Sequence, residues 1–144
     1  MNSVKVFSPA SVSNVCCGFD VLGFSIDGLG DEIIIHKSDL KGVRINNIYG
    51  FNVPLEAKEN TATVAAQSLL EYLNIDQGFD IEINKNIKPG SGIGSSAASA
   101  VGAVYGINKI LGNPLKKEHL LKFAMQGEFI SSRTAPADNV ASAL

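Results

Sequence analysis

Pro89-Gly90-Ser91-Gly92-Ile93-Gly94-Ser95-Ser96-Ala97-Ala98-Ser99 is the stretch on which the fold and the chemistry of this chain turn. Three glycines stand at alternate positions, and two serines then open a run of small residues. Upstream, Phe79, Ile81, Ile83 and Ile87 alternate with Asp80, Glu82 and Asn84. That is the period of a strand with one wet face, as in an antiparallel sheet. Downstream, Ala97, Ala98, Ala100, Gly102, Ala103 and Gly106 predict a closely packed helix from Ala97 to about Leu111, stopped by Gly112-Asn113-Pro114. A glycine loop between strand and helix suits an oxyanion. Glycine lets the backbone approach closely. The first N–H groups of the helix lack internal partners, and the helix dipole favours negative charge there. Ser95 and Ser96 add hydroxyls for a phosphate or a metal.

Three readings of such a loop compete. A Walker A loop needs a lysine before its Ser/Thr, and none stands here. The dinucleotide pattern G-x-G-x-x-A fits Gly92, Gly94 and Ala97. That pattern, however, belongs after a fully buried parallel strand, with a second strand and an acidic residue about 20 positions on. Here the strand alternates and no second strand follows. A plain strand-to-helix turn rarely takes three glycines and two serines.

Outward from the loop, Val4 to Ser8 reads as a first strand ended by Pro9, followed by a Ser/Asn/Gly-rich loop from Ala10 to Gly18. Glu32 to Lys37 reads as a second strand, and Val43, Ile45 and Tyr49 mark a third after a turn at Gly42. Asn60-Thr61 opens a helix whose stripe is Ala62, Ala65, Ala66, Leu69, Leu70 and Leu73. Gly78 resets the chain, and a last helix runs from about Lys116 to Ile130. The order predicts a single α+β domain over the 144 residues, with a largely antiparallel sheet and packed helices. Hydrophobic residues at 45% and charged residues at 18% fit a globular core, and a net charge of -2 argues against nucleic-acid or anionic-membrane partners. No run approaches a membrane span, and the N-terminus has no secretory h-region, so a cytoplasmic location is expected. Cys16 and Cys17 are adjacent, match no zinc or redox spacing, and are expected to pack. His36 and His119 are expected at the surface.

The string from Pro89 to Ser99 resembles the phosphate loop of the GHMP kinases, which phosphorylate small metabolites with ATP. The segments Lys5 to Asn14, Gly18-Phe19-Asp20-Val21-Leu22-Gly23, Gly127-Glu128 and Ala137-Asp138-Asn139-Val140-Ala141 are similar to the homoserine kinase branch. The resemblance spans nearly the whole chain but only about the first half of such an enzyme. It implies the GHMP N-terminal fold, related to ribosomal S5 domain 2, with ATP and Mg²⁺ as cofactors. It also implies phosphorylation of L-homoserine to O-phospho-L-homoserine in threonine biosynthesis, and room for a homodimer.

Roles carry over residue by residue. The resemblance assigns ATP to Asn60, Pro89, Gly90, Ser91, Gly92, Ile93, Gly94, Ser95 and Ser96. Asn60 matches an adenine contact but also stands where a helix cap belongs, and both roles can coexist. Ser96 and Glu128 match the Mg²⁺ ligands. Glu128 falls on the apolar stripe Leu121, Ala124, Met125 of the last helix, where a carboxylate is either an edge residue with a wet head or a ligand. Asn14, Asp20 and Asn139 match partners of homoserine; Asp20 alone reads as a turn or cap. Asn139 and Glu128 are the catalytic candidates, in a branch that manages without a dedicated base, because phosphoryl transfer rests on positioning and charge neutralisation.

Pro136 stands where the branch has histidine, Arg133 where it has glycine and Ser142 where it often has proline. With the second half of the family's sequence missing, the expectation is an incomplete or inactive fragment. The alternatives are another GHMP kinase, of the mevalonate or sugar type, and a catalytically dead nucleotide-binding module.

Overall fold

The structure, a computed structural model, describes residues 1–18, 21–132 and 137–144. Four strands, β1 (Ser3–Val12), β2 (Phe24–Ser38), β3 (Val43–Gly50) and β4 (Gly78–Lys85), form one sheet in the order β1-β2-β4-β3. Both β1–β2 and β2–β4 are antiparallel, and β3–β4 is parallel. Helices α1 (Thr61–Leu73), α2 (Ser95–Ile110), α3 (Leu121–Ser132) and α4 (Ala137–Ala143) complete the α+β domain. The sheet is largely antiparallel, as its alternating strands require.

The inward face carries Ile33 and Ile35 of β2 and Phe79, Ile81 and Ile83 of β4, all fully buried. Replacing one such isoleucine by alanine costs about 2–5 kcal/mol. α1 places Ala62, Ala65, Ala66, Leu69 and Leu70 on this core, the stripe its spacing predicts. α2 lies close to the sheet because it lacks side chains there. A Cβ on Gly102 would come within 2.4 Å of Ile33 Cδ1, and one on Gly106 within 2.5 Å of Ile35 Cδ1.

Several element boundaries differ from the sequence reading. Pro9 does not end β1; it pairs with Gly30, and a bulge between Pro9 and Ser11 absorbs the irregularity. β1 is an edge strand, where proline's missing N–H removes no ladder bond. β2 begins at Phe24, eight residues before Glu32, because the far side of that bulge continues to pair through Ser11–Ser25 and Val12–Phe24. α1 ends on Asn74 in a left-handed conformation (φ 53°), ahead of Gly78. The last predicted helix is a 3₁₀ turn over Lys117–Leu120 followed by α3. Cys16 and Cys17 do not pack: both are exposed on a turn. His36 and His119 are at the surface, as expected.

Candidate active site

β4 ends at Lys85, and α2 starts at Ser95. The connection between them is the glycine loop. Gly90, Gly92 and Gly94 all have left-handed backbones, with φ of 74°, 78° and 71°. At Gly90 and Gly92 nothing lies within 4 Å of where a Cβ would be, so that part of the loop presents bare backbone to open space. Gly94 caps α2, and it is the glycine the fold itself requires. A Cβ there would meet Ser11 Oγ at 2.2 Å and Asn139 Oδ1 at 3.3 Å.

The loop borders a cleft of about 610 Å³. Asn14, Asn60, Pro89, Gly90, Gly92, Gly94, Ser95, Ser96, Glu128 and Asn139 all line it. The residues that sequence reasoning grouped from distant segments thus meet at one place. Ser91 and Ile93 are not in its wall. Ser91 is exposed, while Ile93 packs beside Ala10, Ile87 and Ala98, and its carbonyl accepts the Ser11 N–H at 3.1 Å. Asp20, Arg133 and Pro136 lie outside the described residues.

Each wall residue is held by its own element. Asn60 is the N-cap of α1: its Oδ1 accepts the Ala62 N–H at 3.0 Å, and its Nδ2 donates to Pro54 O at 2.7 Å. The cap therefore also fixes Pro54, another wall residue. Asn139, on α4, is tied at both ends of its amide, to Ser11 in β1 and to Ser13 just past it. It accepts from Ser11 Oγ at 2.9 Å and donates to Ser13 Oγ at 2.8 Å. Ser95 is buried, and its hydroxyl donates to Ile87 O at 2.9 Å, so its proton is committed to the loop rather than offered to the cleft. Ser142, the third departure, donates from Oγ to Asp138 O at 2.7 Å within α4.

Ser96, in the first turn of α2, hydrogen-bonds the Glu128 carboxylate of α3. Burial pushes the Glu128 pKa up, while the Ser96 hydrogen bond and the Lys85 charge pull against that shift. α3 comes close enough for this contact because it carries Gly127 against α1; a Cβ there would lie 2.4 Å from Thr61 O. A hydroxyl and a carboxylate beside a bare-backbone phosphate loop are hard oxygen donors, which fit Mg²⁺. Among the described residues no group of three or more His, Cys, Asp or Glu side chains gathers to hold a metal.

Lys85 was missed by sequence reasoning. Its side chain is only 2% exposed at the cleft floor and forms an ion pair with Asp31, which is fully buried. Nζ also donates to Ser95 O at 2.5 Å and Ser99 Oγ at 2.8 Å. Burial lowers its pKa, against the opposing charge of Asp31 and, more weakly, of Glu128. A lysine as the last residue of a strand gave no sequence signal, since a charged strand end ordinarily points to water.

The GHMP kinases N terminal domain family matches residues 60–144. The chain belongs to the GHMP kinases. Among curated relatives of this GHMP domain, a homoserine kinase of Xanthomonas campestris is 42% identical over 97% of the chain and 44% of the relative. The chain spans about half the length of the curated relatives it matches. A crystal structure of homoserine kinase from Cytophaga hutchinsonii superposes with a TM-score of 0.93 at 52% identity, covering 98% of this chain and 45% of that one. Mevalonate kinase of Methanococcus jannaschii has the same fold, with a TM-score of 0.74 at 21% identity over 97% of this chain and 50% of that one.

Proposed function

We propose that this GHMP domain forms the ATP half-site of a homoserine kinase, which transfers the γ-phosphoryl group of ATP to the side-chain hydroxyl of L-homoserine. The observation that carries this reading is the convergence on one cleft of three left-handed glycines, the Ser96–Glu128 contact and the two asparagines Asn14 and Asn139. The similarity to homoserine kinases over nearly the whole chain supports the choice of acceptor.

The bare backbone of Gly90 and Gly92 and the N-terminus of α2 receive the polyphosphate. Asn60 caps α1 and lies within reach of the adenine end. Ser96 and Glu128 would hold Mg²⁺, which would supply charge neutralisation for the phosphates. Asn139, held by Ser11 and Ser13, borders the place where the acceptor alcohol meets the phosphate. Asn14 lines the same wall and serves the amino-acid end of homoserine. No side chain has to act as a strong base. The alcohol proton can pass late, in a loose transition state, to an oxygen of the transferred phosphoryl group as ADP departs, and catalysis comes from alignment and charge stabilisation.

Two measurements test this. Calorimetric titration of the chain with MgATP should show saturable one-to-one binding; no heat at millimolar ATP refutes the half-site. The polypeptide at the length of its relatives should then release ADP with homoserine and not with mevalonate or galactose. ADP release with a different member of that panel replaces the acceptor, and binding without turnover leaves a nucleotide-binding module.

A further inference from the structure

A buried ion pair, Lys85–Asp31, lies under the phosphate loop. An ammonium group has three protons to donate. Lys85 spends them on Asp31, the Ser95 carbonyl and Ser99 Oγ. It has none left for a ligand. Asp31 is equally committed. Its Oδ1 accepts the N–H of Asn86 at 2.8 Å and of Ile87 at 3.0 Å, while its Oδ2 takes Lys85. The Ser95 hydroxyl donates back across the loop to Ile87 O.

These bonds form a closed circuit with a definite position. Asn86 and Ile87 are where the chain enters the loop, and Ser95 and Ser99 are where it has left it into α2. A single carboxylate on β2 grips the entrance directly and the exit through Lys85. Between these anchors run residues 88–94, with three left-handed glycines and no side-chain obstruction at Gly90 or Gly92. Glycine-rich backbone is the costliest kind to order on binding. Anchoring both ends reduces what the ligand must order, which raises affinity without any new contact.

We propose that Asp31, acting through Lys85, is a positioning residue that clamps the two ends of the phosphate loop and so presets it for the polyphosphate of the nucleotide. This inference rests on the kinase reading above. It predicts a split between nucleotide and nucleoside, because the clamp acts on the loop that meets phosphates and not on the adenine end near Asn60.

The test is the charge-free double variant Asp31→Asn/Lys85→Met. It keeps an oxygen to accept the Asn86 and Ile87 N–H groups, cuts the tie to α2 and removes both charges of the buried pair together. ADP and adenosine are titrated separately into wild type and variant, with circular dichroism to confirm folding. The expected result is an ADP affinity lowered at least about tenfold with adenosine affinity unchanged. ADP binding within about twofold of wild type, or equal losses for ADP and adenosine, overturns the clamp. Should the variant fail to fold, hydrogen exchange on the wild-type chain decides. The Asn86 and Ile87 amides should be slow with and without ADP, while those of Gly90 and Gly92 should slow only when ADP is added. Fast exchange at Asn86 and Ile87 overturns the clamp. Wild type that binds neither ADP nor adenosine overturns the kinase reading itself, a result separable from every outcome above.

Discussion

Replacing Gly94 by alanine separates what the backbone demands from what the neighbours demand. The residue sits at φ 71°, a region in which an L side chain costs about 1–2 kcal/mol. The new Cβ would also stand 2.2 Å from Ser11 Oγ. Ser11 is fully buried, and its hydroxyl is bonded to Asn139 at 2.9 Å, so it cannot turn away without breaking that bond. Losing it adds about 0.5–1.5 kcal/mol, for a total of about 1.5–3.5 kcal/mol. Gly92→Ala is the matched control. Its φ is 78°, but nothing lies within 4 Å of the new Cβ, so only the backbone cost of about 1–2 kcal/mol remains. In a domain of this size each kcal/mol moves the melting temperature by about 2–4 °C. Thermal unfolding should therefore place Gly92→Ala a few degrees below wild type and Gly94→Ala clearly lower still. ADP titration should show a loss at both positions, at Gly92 because its methyl enters the space offered to the phosphates and at Gly94 because its methyl displaces Asn139. If Gly94→Ala melts no lower than Gly92→Ala, the packing of Ser11 and Asn139 against the loop is wrong.

Three further outcomes follow from named contacts. Gly127→Ala gains about 1 kcal/mol of helix propensity but drives a methyl into the Thr61 carbonyl, a clash of the kind that costs about 1–3 kcal/mol; urea denaturation should show a net loss, and a raised midpoint contradicts the close α1–α3 contact. Glu128→Gln should abolish the gain in ATP affinity that Mg²⁺ confers while leaving metal-free ATP binding intact; a preserved Mg²⁺ effect in calorimetry removes Glu128 from the metal site. Glu32, held below the ordinary carboxylate range by its hydrogen bonds to Lys5 and Asn84, gives a pH dependence. A lowered folded pKa means a contribution present above the unfolded value of about 4.3 and lost as pH falls through the folded one. The stability gap between wild type and Lys5→Met should thus be open at pH 7 and shrink as the pH falls below the unfolded value and through the folded one; a gap of constant size through acid titration shows that Lys5 acts by packing alone.

What the sequence by itself determined is what short-range periodicity and backbone chemistry encode. The stripe of α1, the alternation of β4 and the small-residue face of α2 each follow from one element packing on one side, so neighbouring residues suffice to read them. The glycine loop was legible for the same reason: positive φ is a local demand, and Gly90, Gly92 and Gly94 all meet it. The resemblance carried by the loop and the N-terminal segment further grouped Asn14, Asn60, Glu128 and Asn139, which local pattern alone does not join. Only the tertiary structure decided the rest. Pro9 stays in β1 because that strand lies at an edge, a fact of sheet order and not of residues 4–9. The parallel pairing of β3 with β4 depends on where α1 crosses. Lys85 and Asp31 are 54 positions apart, and Asn139 meets Ser11 across 128. A charge at a strand end is ordinarily solvated. Lys85 is buried because a carboxylate on β2 and a carbonyl and a hydroxyl at the start of α2 converge on its three protons, and only the folded chain brings them together.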